Sequence, residues 1–292
     1  MHPLEGCFEK LDRAASHLES FNTAARTWVA EGDPYALPVD IDYETRERVV
    51  KFKILRELPG LCWGVIIGDF AHNLRSALDQ LVWRLVEMEG NADPRDLRTA
   101  FPIVLSIDQW KEKVVGPRRS KRYAPHGKGP LAGLDESGKA WTAIKACQPF
   151  VRYPPDPSLD FFAGLEWLWN EDKHRVVAAA YATIGAEKLV FTPYWDAHVA
   201  AWNIEDGPFE NNGAEVARLT LTGDVSLNNP QVQVDGNLAF RVAFGERPGV
   251  GKGISNVDLP QMLLAVYAAF GDICSTVGLQ PPRRLAVRPP RR

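Results

Sequence analysis

A charge excess of either sign is what this chain most clearly lacks. Its 34 Lys and Arg stand against 37 Asp and Glu, a net charge of −3. The whole molecule is therefore no electrostatic sink for nucleic acid or an anionic membrane, and any such role falls to a local patch. Long apolar runs are missing too, since stretches such as LCWGVII fall far short of the roughly 20 residues a membrane span needs. Cysteine is sparse and scattered: Cys7, Cys62, Cys147 and Cys274 make no C-x-x-C pair, which argues against a zinc knuckle or a disulfide framework. They read as small buried hydrophobes. The N-terminal MHPLEGCFEKLDRAA has no basic region followed by an apolar run, so a secretory signal is not expected and a reducing cytoplasm is the expected compartment.

Catalytic signatures are absent as well. The chain carries no G-x-S-x-G elbow and no H-E-x-x-H or H-x-x-x-H spacing. The stretch GERPGVGKG contains Gly251-Lys252, but the positions a phosphate-binding loop requires hold Glu246 and Gly253, so it reads as a turn. His126 and His198 stand alone and read as surface residues. No internal repeat is present. What remains is ordinary globular material: 45% hydrophobic and 24% charged residues, with 9 Trp and 13 Phe for a core.

Periodicity supplies the architecture. Leu4, Phe8, Leu11, Ala15, Leu18, Phe21, Ala25 and Trp28 fall on one stripe and predict a helix over 4–30. ALPVDIDY and ERVVKFKILREL have strand character, and the bracketing Pro34, Pro38 and Pro59-Gly60 make them an inserted hairpin over 36–58. Residues 61–89 place Phe70, Leu74, Ala77, Leu78, Leu81, Leu85 and Met88 on one helical arc, ended by Gly90 and Asp93-Pro94. A short helix is expected from Ser106, one at 135–147, a proline-rich connector over 148–158, and a long helix over 159–182. Between them, GPRRSKRYAPHGKGP is basic and Pro/Gly-punctuated, which predicts an exposed, mobile loop. Beyond Lys188, KLVFTPYW, HVAAWNI, EVARLTLTGDV, PQVQVD and LAFRVAF alternate with turn residues and predict an antiparallel sheet of about five strands. A helix over 257–277 closes the fold. The expected class is α+β: a helical core with an inserted β-hairpin, a C-terminal antiparallel sheet and a final packing helix. The expected division is 1–185 mainly helical with the hairpin, 186–280 β-rich with the last helix, and 281–292 a flexible Pro/Arg tail.

Two clusters carry the chemistry. On the wheel of 68–89, His72, Ser76, Asp79, Gln80 and Trp83 lie within roughly 80° of Asp69, and Arg75 sits where this polar stripe meets the apolar arc. Arg75 and Asp79 are spaced i,i+4, as in an ordinary surface ion pair. A solvated face is usually rich in Lys and Glu, however, whereas this one uses compact hydrogen-bonding groups suited to a partly buried seam. The second cluster, WNEDKHRVV, repeats the same types as Asp172, His174 and Arg175 beside Trp169. The two helices are thus expected to face each other across a polar site. There His72 and His174 would be acid–base groups, Arg75 and Arg175 would bind an anion, and Asp69, Asp79, Asp172 and Trp169 would complete the substrate contacts. Hydrolysis of a phosphodiester, as by a nuclease, is one chemistry open to such a set. The alternative is a non-catalytic ligand-binding or interaction protein in which the same groups form a structural salt-bridge network. A metal is disfavoured because the arginines oppose a cation, and no cofactor is expected. The expected partners are an anionic small molecule, a nucleic acid met through the basic loop 111–128, and a second copy of the chain; a membrane is not expected.

The strings GDFAHNLRSALD and DKHR, with QPF between them, resemble those of a family of uncharacterised bacterial proteins of about this length. The resemblance covers about residues 60–180 and implies no activity. A looser similarity is to HEPN-type helical ribonucleases, in which an Arg and a His on one helix face a two-fold partner. Here the order is reversed, with His72 preceding Arg75. That likeness implies acid–base chemistry on a phosphodiester.

Overall fold

The computed structural model describes residues 3–111, 113–114, 126–127, 129–174, 180–185, 189–194, 196–205, 213–223, 225, 232–236, 239–244 and 254–280. These residues build an α+β fold. In chain order the helices are α1 (Glu5–Ala30), α2 (Gly60–Glu89), α3 (Ile107–Lys111), α4 (Lys139–Ala146), α5 (Pro149–Arg152), α6 (Phe161–His174) and α7 (Asp258–Val277). The strands are β1 (Tyr35–Ala36), β2 (Val39–Ile41), β3 (Arg48–Lys51), β4 (Lys53–Ile54), β5 (Lys113–Val114), β6 (His126–Gly127), β7 (Ala180–Gly185), β8 (Leu189–Pro193), β9 (His198–Ile204), β10 (Glu215–Thr222), β11 (Val232–Gly236), β12 (Ala239–Phe244) and β13 (Ile254–Ser255). Among the described residues no helix is long and apolar enough to cross a membrane.

The chain divides into two compact units. One holds Met1–Phe21, Gly64–Ala178 and Glu246–Arg292, and the other holds Asn22–Trp63 and Ala179–Gly245. This differs from the expected split at 185/186. The hairpin pairs with the C-terminal strands, and α7 counts with the helices. The reason is hydrogen bonding between distant segments: β3 lies antiparallel to β10, with Val50 opposite Ala217 and Arg48 opposite Leu219. A strand's unpaired backbone groups are satisfied wherever a matching strand is available, and sequence distance does not forbid it.

In the helical unit the predicted stripes supply most of the core, with Ala15 of α1 only partly buried. Leu4, Phe8, Leu11, Leu18 and Phe21 of the α1 segment are buried, as are Phe70, Leu74, Ala77, Leu78, Leu81 and Leu85 of α2. Met88 departs from its arc and is 45% exposed, because it sits in the last turn before Gly90, whose φ of 68° ends the helix. Phe8 packs on Phe270 of α7 at 5.7 Å between ring centroids, and the Tyr267 hydroxyl donates to Asp12. Trp110 packs edge-on to Trp141 at 5.6 Å. Three of the cysteines are buried as expected, whereas Cys62 is exposed near the start of α2.

Two expected segments come out differently. The proline-rich connector contains α5, because Pro149 sits at its first position, where a missing N–H costs nothing. Of the helix expected over 159–182, Phe161–His174 is helical, residues 175–179 lie outside the described residues, and residues 180–182 belong to β7, which pairs antiparallel with β12. Residues 115–125 of the basic loop lie outside the described residues, as does Lys128. At the loop's ends β5 and β6 pair in parallel, and Gly129 and Pro130 are buried, with the Pro130 carbonyl accepting from the Ala100 N–H.

The sheet unit is not one five-stranded meander. Its largest sheet has the order β2-β3-β10-β9, while β8 pairs with β11. The core under it is Val50, Phe52, Val216, Ala217, Leu219, Leu221 and Val232. Trp28 stacks edge-on to Trp63 and receives the Arg56 guanidinium on its face at 4.5 Å. Arg218 of β10 reaches Asp42 at 2.9 Å, Glu47 at 3.1 Å and Glu215 at 2.8 Å, joining the β2–β3 turn to the distant strand.

The Arg218 hydrogen bond, followed by backbone N–H groups from residues 44 and 45, lowers the Asp42 carboxyl from 3.8 to about 2. A carboxylate held down in the folded state contributes stability above its unfolded value and loses it as the pH falls through the folded one. Asp42→Asn should therefore remove part of the acid sensitivity between pH 3.8 and about 2. Thermal melts of wild type and variant across that window check this, and parallel curves would refute it.

Candidate functional site

The seam between α2 and α6 is built by two capping and packing decisions. Asp160 starts α6: its side chain accepts from the Phe162 N–H at 2.8 Å and pairs with Arg152 at 3.0 Å. Phe162, Ala163, Leu165 and Leu168 then face the core. The remaining side of α6 carries Glu166, Trp169, Asn170, Asp172 and Lys173. Gly68 of α2 lies against Asp172, and Arg75, two turns further on, lies against Glu166 and Trp169. Contacts that rise in number on one helix and fall on the other mean the two run antiparallel.

The inner part of the seam is a buried ion-pair cluster. The Arg75 side chain is only 6% exposed, and its Nη2 lies 3.3 Å from Asp79 while its Nη1 lies 3.4 Å from Glu166. Its guanidinium sits 5.2 Å from the Trp169 ring centroid. Asp79 also accepts the Phe101 backbone N–H at 2.8 Å, tying the segment after α2 into the cluster. Asn170 donates to the other oxygen of Glu166 at 3.3 Å. The Arg75–Glu166 contact is close enough to attract but misaligned for a hydrogen bond. Nε and Nη1 of Arg75 and Oε2 of Glu166 are buried without one.

The outer part is more open and acidic. Asp69 and His72 are exposed on α2, and Asp172 of α6 is partly buried. A β-carbon on Gly68 would stand 2.1 Å from a carboxylate oxygen of Asp172, so that carboxyl docks directly on the α2 backbone. Burial, and then the neighbouring Asp69, push the Asp172 carboxyl above its usual range, while His72 opposes the rise. Lys173 lies over the Trp169 ring at 4.7 Å. Among the described residues no group of three His, Cys, Asp or Glu side chains is placed to hold a metal ion.

The structure thus brings together Asp69, His72, Arg75, Asp79, Trp169 and Asp172 of the predicted set. His174 is the last residue of α6; its side chain and all of Arg175 lie outside the described residues. Sequence reading missed Glu166 and Gly68. Glu166 was findable one helical turn before Trp169, and Gly68 was findable as a glycine inside a helical pattern without stop signals. Compared with known proteins, the chain matches no family model, no curated protein and no solved structure.

Removing one partner of a buried pair leaves the other uncompensated. Arg75→Ala should therefore cost on the order of 3–5 kcal/mol. Glu166→Gln, with Asp79 still pairing the guanidinium, should cost about 1–3 kcal/mol. Arg75→Met combined with Glu166→Leu should recover much of the loss. Urea unfolding of the three variants checks this, and an Arg75→Ala protein as stable as wild type would show that the cluster contributes nothing.

Proposed function

We propose that the outer part of the α2–α6 seam is a ligand site that handles a proton, with His72 and Asp172 as its acid–base pair. The observation that carries this reading is the Asp172 carboxyl, which is docked on the backbone of α2, half-buried beside Asp69, and raised above the ordinary carboxylate range. A titratable group perturbed by desolvation and by a specific charged neighbour marks a functional candidate on physical grounds. A carboxylic acid that holds its proton longer than usual, on the same seam as an imidazole, suits general acid–base work.

Arg75 has a positioning part in this reading. Its charge is met by Asp79 and Glu166, so it holds the helices in register rather than offering itself to an anion. The described rim groups, Asp69 and Asp172 against His72 and Lys173, favour a small ligand that presents a hydrogen-bond donor or a positive charge. A phosphate-bearing ligand, expected from the residue types, would rely on His174 and Arg175. The second reading is a purely structural seam. It is favoured by the Asp79 carboxylate, which serves Arg75 and the Phe101 N–H together.

Asp172→Asn separates the readings. A carboxyl raised in the folded state binds a proton that the unfolded chain gives up, so stability falls as the pH rises from 3.8 through the folded value. The variant should lose that slope and remain as stable as wild type or more so above it. Titrations with a simple diamine and with inorganic phosphate, followed by NMR at Asp172 and His72, complete the test. Saturable diamine shifts that vanish in Asp172→Asn support the proposal. Absence of saturable shifts with either probe, together with a variant destabilised as much as Glu166→Gln, would overturn it in favour of the structural seam. Saturable phosphate shifts alone would return the ligand to the anionic class.

A further inference from the structure

A glycine inside a helix weakens it relative to alanine, so its presence calls for a reason. At Gly68 that reason is not backbone conformation. Among the described residues the glycines with positive φ are Gly32, Gly90, Gly133, Gly213, Gly223 and Gly278, and Gly68 is not one of them. Nor is it general crowding along helices, since a β-carbon on Gly271 of α7 would meet nothing within 4 Å. At Gly68 the same atom would lie 2.1 Å from Oδ1, 2.7 Å from Cγ and 3.2 Å from Oδ2 of Asp172. All three atoms of one carboxyl group occupy the space a side chain would take.

We infer that Gly68 is a positioning residue of the α2–α6 site: its missing β-carbon lets the Asp172 carboxyl dock on α2 beside Asp69 and His72. The inference rests on the proton-handling reading and adds a residue to it. Aspartate has one methylene between backbone and carboxyl, so the group cannot slide aside while staying in place. A methyl at position 68 turns it about its Cα–Cβ bond toward solvent. Out there it regains water and leaves Asp69, which removes the two causes of its raised proton affinity. Asp69 and His72 are the charged groups that α2 sets against it, and Lys173 is its neighbour on α6.

The test is Gly68→Ala, read by the carboxyl carbon resonance of Asp172 across a pH titration of the full chain. The expected result is a fall of the Asp172 pKa toward 3.8 relative to wild type. A wild-type Asp172 that already titrates there overturns the proton-handling reading and this inference with it. A raised wild-type value that Gly68→Ala leaves unchanged overturns the inference alone. Melting temperatures give a second readout, which holds even if the variant is too unstable to titrate. Because the docked carboxylate is desolvated and faces Asp69, releasing it should make Gly68→Ala gain melting temperature relative to wild type as the pH rises from 3.8 through the folded value. In the Asp172→Ala background Gly68→Ala should raise the melting temperature by about 2 °C at every pH, because only helix propensity then remains. An effect of Gly68→Ala with the same pH dependence in both backgrounds would show that Gly68 accommodates something other than the carboxyl.

Discussion

A guanidinium buried between two helices has to find its counter-charges there, and that requirement organises the helical unit around Arg75. Its two carboxylates come from different places: Asp79 one turn along the same helix and Glu166 from the facing one. Asp79 in turn holds the backbone of Phe101, whose ring stacks on Phe162 of α6 at 5.8 Å. Register, helix spacing and the course of the chain after α2 thus depend on one side chain. Such a cluster adds little net stability over an apolar packing of the same volume, but it tolerates no sliding of one helix along the other.

That rigidity is what the proposed acid–base site on the same seam would require. Asp69, His72 and Asp172 lie roughly one to two turns from the buried cluster, on helices whose register it sets. The division of labour follows from depth. The buried groups neutralise one another, whereas Asp69 and His72 are exposed at the rim and Asp172 is only partly buried. Asp172 is the group in which burial and charge act in the same direction.

Much of this was legible in the sequence, for a local reason. The boundaries of α1, α2 and α7 and of β8 to β12 follow from apolar spacing and turn residues, which act over a few positions. The facing of α2 and α6 was readable because both carry the same uncommon residue types where Lys and Glu are usual. That residues 180–182 belong to β7 was not readable, since the Ala-rich and β-branched stretch around them fits a helix as well as a strand. Gly68 and Glu166 were overlooked because their meaning lies in a partner on another element. So does that of Arg218, whose partners Asp42 and Glu47 are far away in the chain.

The amino-acid sequence by itself determined α1, α2 and α7, the strands β8 to β12, their apolar faces and the polar stripe from Asp69 to Asp79. Each of these depends on periodicity within one segment. Tertiary structure decided how the strands pair, that the hairpin over 36–58 joins the C-terminal strands, and which charges meet. It also decided that Arg75 turns inward to Glu166 while Asp172 docks on the bare backbone at Gly68. Those outcomes depend on distances between segments far apart in the chain, where burial sets the worth of a charge or a missing methyl group.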